Sequence, residues 1–381
     1  LERKNILFIS SWFPNKIEPT NGNFVQRHAE AVSLVHNVEI LHAIGDFDQD
    51  EKYLFDDRLI NGIRTLIVYY KNSKNPVKNF FRRMKAYKKG FSKMQKPDLI
   101  HANVLHNNIL FAVYLKKKYK IPFIVTEHWT ALRKINAEIT SKIIKQTAVI
   151  IGNQAEFILP VSNDLLLGLK DLGIKSKMKV VPNVVNTQLF LPQRKADSEF
   201  TFIHVSNLIP RKNPEKILDV ALNLLDNGFA FKFQLGGDGN DEIINKLKNK
   251  VADSKFSDKI TVFGIQTLNE IAHRMGCSDC FILFSEDENQ PCVIAESFAS
   301  ETKVISTNVG GIEEFFPDNA GILLKKVDEA ELYSAMVRML KHDRNDDLSF
   351  LSQYAKDTFS QEMIATKFSD IYAQVLKGLR S

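Results

Sequence analysis

No run of apolar residues in this 381-residue chain approaches the roughly 20 needed to cross a bilayer. Its first stretch, ILFISSWF, alternates like a strand and lacks a small-residue cleavage site. It does not read as a signal peptide, and the chain is expected in the cytoplasm. Cysteine is scarce as well: only Cys277, Cys280 and Cys292 occur, too few for a disulfide framework. One C-x-x-C without a second pair or a histidine array reads as small semi-buried thiols, not zinc or redox chemistry. Short-period repeats, low-complexity tracts and motifs that read RNA or DNA are absent. So is G-x-G-x-x-G. LGGDGNDE places Gly236, Gly237 and Gly239 at a strand end, but no acidic ribose reader follows at the required spacing, which disfavours a dinucleotide dehydrogenase.

What remains is an ordinary globular composition, 44% hydrophobic and 25% charged, in a chain long enough for two cores. Short apolar runs alternate with longer helical ones, which indicates βα units and parallel sheets. The first set of strands is NILFIS, VEILHAI, RTLIVYY, DLIHAN, FIVTEH and FILPVS; the second is TFIHVS, FKFQLGG, KITVFG, CFILFS, KVISTN and GILLKK. The fold class expected is α/β, two doubly wound Rossmann-like domains facing across a cleft, with a boundary near residues 187 to 198. Residues 1–190 form the first domain, 191–360 the second, and a final helix at about 361–381 packs back on the first. In such sheets ligands bind beyond the carboxyl ends of the strands, so the loops there carry the search.

The net charge of +6 is unevenly spread. From Lys71 to Lys96 there are ten basic residues and no acid, interleaved with Val77, Phe80, Phe81, Met84, Tyr87, Phe91 and Met94 at helical spacing. Two readings stand: a basic amphipathic helix for an anionic membrane surface, or a surface helix packing its stripe on its own domain.

The segment SEDENQPCVIAES joins a strand to a helix, with Pro291 at the expected first helical position and Glu288 and Glu296 eight positions apart. A helix start favours anions, whereas two carboxylates repel them. Both fit one ligand if a phosphate is flanked by hydroxyls, as in a sugar nucleotide, because carboxylates accept strongly from hydroxyls. A solvated acidic loop followed by an exposed helix glutamate fits the same residues. SNLIPRKNPEKI adds Arg211 and Lys212 before a helix capped by Asn213, to neutralise a diphosphate or to form a basic surface turn. NVGGIEE brings Gly310, Gly311 and Glu314 to another strand end.

Taken together, these motifs resemble glycosyltransferases of family 4, a retaining class with the GT-B fold. Glu288 and Glu296 match its E-x7-E signature; KMKVVPNVVNTQLF, HVSNLIPRKN, LGGDGNDE and NVGGIEEFF resemble its other second-half segments. FPNKIEPTNGNFVQRHAEAV, PDLIHAN and FIVTEHWTALR resemble its first-half loops. The resemblance implies catalytic-site roles for His128, which would contact the donor sugar, and Glu288, which would meet the sugar hydroxyls. It places Glu296 on the ribose, Lys212 and Arg211 on the diphosphate, and the Gly22 and Gly237 turns close to the donor. Asn289, Gln290, Cys292 and Val293 would hold sugar and phosphate through their backbone, beside Pro291, which has no N–H to give. Three departures stand out: Asn207 where arginine is usual, ENQP in place of EGFG, and Val184 in place of glycine.

The activity so implied is a metal-independent, hexosyltransferase-type transfer from a UDP- or GDP-linked sugar to a glycan or lipid-linked glycan, in cell-surface polysaccharide biosynthesis. No cofactor, no metal and no nucleic acid are expected; Asp48 and Asp50 satisfy D-x-D by spacing but read as a solvated loop. Beside it stand an inert sugar-nucleotide-binding scaffold on the same fold and a related GT-B enzyme such as a sugar-nucleotide epimerase.

Overall fold

The computed structural model describes residues 2–193, 198–341 and 346–378. Contacts divide the chain into two units, one running to Val184 and including the helix Gln361–Gly378, the other spanning Val185–Ser360. Val185 already belongs to the second: its N–H donates to the Phe359 carbonyl at 2.9 Å, and Phe190 is fully buried in that core.

The first unit carries strands β1 (Asn5–Ser10), β2 (Asn37–Asp46), β3 (Tyr53–Ile60) and β4 (Ile63–Lys71). Then come β5 (Leu99–Asn103), β6 (Phe123–Glu127), β7 (Phe157–Pro160) and β8 (Lys177–Met178). They lie in the order β3-β4-β2-β1-β5-β6-β7-β8. Alternation sorts their side chains: Leu7 and Ile9 enter one core, Ile6 and Phe8 the other, as a period of two requires. On the second face helix Asn23–Ser33 packs with helix Gln361–Gly378, whose Ile364, Phe368, Ile371 and Tyr372 are buried against Phe8 and Val25.

One strand departs from the expected all-parallel pattern. β3 pairs antiparallel with β4, closing through Asn61 and Gly62 at φ 49° and 80°. Both central residues at positive φ form the turn that an Asn-Gly pair favours, and the half-exposed edge explains why YLFDDRLI shows no apolar run.

The second unit has β9 (Thr201–Ser206), β10 (Lys232–Gly237), β11 (Ile260–Phe263), β12 (Cys280–Leu283), β13 (Lys303–Thr307) and β14 (Gly321–Leu324). All pairs are parallel, in the order β11-β10-β9-β12-β13-β14. The order reverses between β9 and β12, so the loops leaving these two strands diverge and open a crevice.

The basic segment forms helix Pro76–Phe91, capped by the Asn75 side chain on the Lys78 N–H. Its stripe splits in two. Tyr87 is buried and Met84, Phe91 and Met94 pack on the unit's core, whereas Val77 and Phe81 stay 63% and 64% exposed. Among the described residues no helix is long and apolar enough to cross a membrane.

Candidate functional site

The crevice of the second unit is built by two loops bonded together. Leaving β9, the chain passes exposed Asn207 and turns at Leu208, held at φ 46° with its side chain buried. Ser206 Oγ accepts the Leu208 N–H at 3.0 Å and lies 2.8 Å from His204 Nε2. The other ring nitrogen, Nδ1, lies 2.8 Å from the Ile282 carbonyl of the adjacent strand. Burial holds His204 down to about 4, so the ring is neutral; Nδ1–H donates to Ile282 and Nε2 accepts from the serine.

A short 3-10 turn, Pro210–Lys212, then precedes helix Pro214–Asp226. Asn213 sits at the cap position, but in the left-handed conformation, and its side chain does not cap the helix. Its amide instead donates to the Phe284 carbonyl at 3.0 Å, tying the β9 loop to the end of β12. The Arg211 carbonyl completes the link by accepting the Glu286 N–H at 2.9 Å and the Ser285 hydroxyl at 3.3 Å.

This stitching sets basic turn against acidic turn. Lys212 Nζ donates to Glu288 Oε1 in a nearly buried ion pair, and Arg211 Nη1 lies 3.8 Å from Asp287. Glu296 is 3% exposed and Glu288 6%, so neither is a solvated surface acid. Asn289 and Gln290 are buried beside them, while Pro291, Cys292 and Val293 are half-buried at the helix start. That helix is Cys292–Ala299, and Pro291 is its N-cap at φ −72° and ψ 122°, one position earlier than expected. Extended ψ at Pro291 delays the helical turn by a residue, which leaves Cys292 and Val293 as the first N–H groups of the helix.

Two further strands close the rim. The Asn289 carbonyl accepts the Gly311 N–H at 2.9 Å, and Thr307 Oγ1 donates to the Ser285 carbonyl at 2.6 Å. Gly237, ending β10, has φ 131°, and a Cβ there would lie 1.9 Å from the Ser206 carbonyl oxygen. Only glycine fits that approach.

In the first unit the predicted residues also gather at strand ends. Gly22 takes φ 77° at the start of helix Asn23–Ser33, where a Cβ would meet the Trp12 carbonyl at 2.4 Å. Phe24, two residues on, lies over His128 with ring centroids 4.1 Å apart, and His28 is 5.3 Å from the same ring. Burial lowers His128 well below the usual histidine range, so it is a neutral ring.

Glu127 beneath it was not singled out from the sequence. Its carboxylate accepts N–H groups from Leu105 at 2.5 Å, His128 at 2.8 Å and Trp129 at 2.7 Å. Complete burial nevertheless pushes it up to about 7, against the pull of those three donors. A carboxylate directly ending an apolar strand, as in FIVTEH, was the available signal. Cys277 and Cys280 form no disulfide, and Cys280 is wholly buried. Among the described residues no three His, Cys, Asp or Glu side chains gather to hold a metal.

Comparison with known proteins covers both units. Residues 24–189 match the model described as Glycosyltransferase Family 4, and residues 186–358 the model described as Glycosyl transferases group 1. An uncharacterized glycosyltransferase of Methanocaldococcus jannaschii is 26% identical over 65% of this chain, and the match spans 66% of that protein. Among solved structures, a sucrose-phosphate synthase from Thermosynechococcus elongatus superposes with a TM-score of 0.76 at 18% identity, over 99% of this chain and all of that one. HepE of Anabaena, solved in complex with UDP and glucose, superposes with a TM-score of 0.73 at 16% identity, over 97% and 100%.

Proposed function

The chain belongs to the family 4 glycosyltransferases and has the GT-B fold, and we propose that it moves a sugar from a nucleotide-diphosphate donor to a glycan hydroxyl with retention of configuration. The observation that carries this reading is the buried Lys212–Glu288 pair at the β9/β12 crevice, followed by a helix start whose own Glu296 is buried. A diphosphate entering there takes the Lys212 charge, and Glu288 is released to accept from sugar hydroxyls. Glu296 accepts from the ribose. As the bond to the diphosphate breaks, negative charge grows on the leaving oxygen; Lys212, Arg211 and the first helical N–H groups stabilise it without proton transfer. The acceptor hydroxyl attacks on the face the leaving group vacates and gives its proton to the departing phosphate. A neutral His128 suits contact with an uncharged sugar. UDP is the nucleotide favoured for the first trial, since the neighbour HepE was solved in complex with UDP and glucose. Assembly of a cell-surface polysaccharide is the pathway class proposed.

The test is calorimetry against a panel of UDP- and GDP-sugars, followed by nucleotide release with and without acceptor glycans. Binding of one donor, and release accelerated by acceptor, is the expected result. Glu296→Gln should weaken that binding about 10- to 100-fold, the worth of one charge-assisted hydrogen bond at roughly 1.5–3 kcal/mol. Donor binding without acceptor-stimulated release would favour the inert scaffold instead, a reading that Asn207 and the ENQP loop keep in play. No binding at all would overturn both.

A further inference from the structure

A cavity of 720 Å³ opens in the first unit, between helix Pro76–Phe91, the start of β3 and helix Leu110–Tyr119. None of its lining residues belongs to the strand-end loops described above. Its wall is apolar: Phe91, Met94, Phe111, Tyr114 and Ile121 line it, with Phe111 and Ile121 buried in the unit's own core. Its rim is cationic: Lys52, Lys85, Lys88, Lys89 and Lys96 all border it, and no acid does. Those five lysines are exposed. Lys89 Nζ reaches over the Tyr53 ring at 5.5 Å.

Apolar depth under an unneutralised ring of cations calls for a ligand with a hydrocarbon body and an anionic head. The volume lies within the roughly 300–1,000 Å³ of small-molecule pockets, large enough to take a lipid chain. A second feature points the same way. Val77, Phe81, Lys85 and Lys88 follow one another at spacings of four and three, so exposed Val77 and Phe81 share a helix face with the lysines at the pocket. Large apolar side chains in water beside clustered lysines suit insertion at the headgroup boundary of an anionic bilayer. We infer that this face docks on an anionic membrane, and that the pocket receives one acyl chain of a phospholipid whose phosphate the rim lysines bind. The pocket shares no lining residue with the donor crevice.

The test uses the full chain and co-sedimentation with vesicles of phosphatidylcholine, with and without 30% phosphatidylglycerol as a chosen composition (about that of a moderately anionic bilayer). Strong binding only to the anionic vesicles is expected. The triple variant Lys85→Glu, Lys88→Glu, Lys89→Glu should lower partitioning by about a hundredfold or more. Ser92→Trp, which places a bulky ring at the pocket mouth from an exposed position, should weaken binding of soluble dioctanoyl phosphatidylglycerol about tenfold. Inorganic phosphate should not compete. Circular dichroism and melting confirm that each variant is folded. Equal affinity for neutral vesicles, or unchanged lipid binding in Ser92→Trp, would overturn the proposal. So would lysine-dependent binding of RNA without binding of vesicles.

Discussion

Replacing Lys212 by methionine would leave the Glu288 carboxylate nearly buried without its counter-charge. The two side chains are 11% and 8% exposed. At an effective dielectric of about 20, unit charges in contact attract by about 4 kcal/mol, most of which repays the hydration both lost on burial. Removing one partner leaves that loss uncompensated, at about 3–5 kcal/mol for a buried pair. The crevice mouth admits some water, so about 3 kcal/mol is expected for Lys212→Met. In a unit of this size that corresponds to roughly 6–12 °C in melting temperature. The double variant Lys212→Met, Glu288→Gln carries no stranded charge and should lose only about 1 kcal/mol. The assay is a double-mutant cycle by chemical denaturation, with a coupling of about 2 kcal/mol or more expected. Additivity within about 0.5 kcal/mol would refute the reasoning. Donor binding separates the roles: it should fail in the double variant although stability is largely restored.

Two further outcomes follow from buried groups. His28, His42 and His204 are each held to about 4 by burial, against 6.5 when unfolded. The unfolded chain therefore binds more protons, and their contribution, whole above pH 6.5, is lost as pH falls towards 4. Glu127, raised to about 7 from 4.5, acts oppositely between those values. Among these four groups three protons against one give a slope of about 3 kcal/mol per pH unit between pH 4.5 and 6.5, and buried His101 and His128, lowered by the same desolvation, steepen it further. A flat stability between pH 5 and 6 in denaturation experiments would exclude it. Gly237→Ala should cost about 3 kcal/mol or more, from positive φ and collision with Ser206, while Gly264→Ala, with open space around it, should be near neutral in the same melting assay.

Much of the architecture is local in origin and was readable as such. Twelve apolar runs became strands because a period of two is written residue by residue, and Leu7 and Phe8 part to opposite faces for that reason alone. β3 escaped because an edge strand needs no apolar run; the Asn61–Gly62 turn was its only local mark. The basic helix was visible, but not how its stripe divides, since burial of Tyr87 depends on Phe111, which follows another strand.

At the crevice the eight-residue spacing of Glu288 and Glu296 is a property of the sequence, set by one loop and one helical turn. The sequence likewise determined that cations follow β9 and acids follow β12. That Lys212 meets Glu288, 76 positions away, was decided by the tertiary structure. β9 hydrogen-bonds to β12 and not to the next strand in sequence after β10. Which strands pair depends on how whole helices cover the sheet, a long-range choice that no local period encodes. Burial of Glu127 and of the histidines around it has the same origin, because the surface that excludes water from them comes from segments far along the chain.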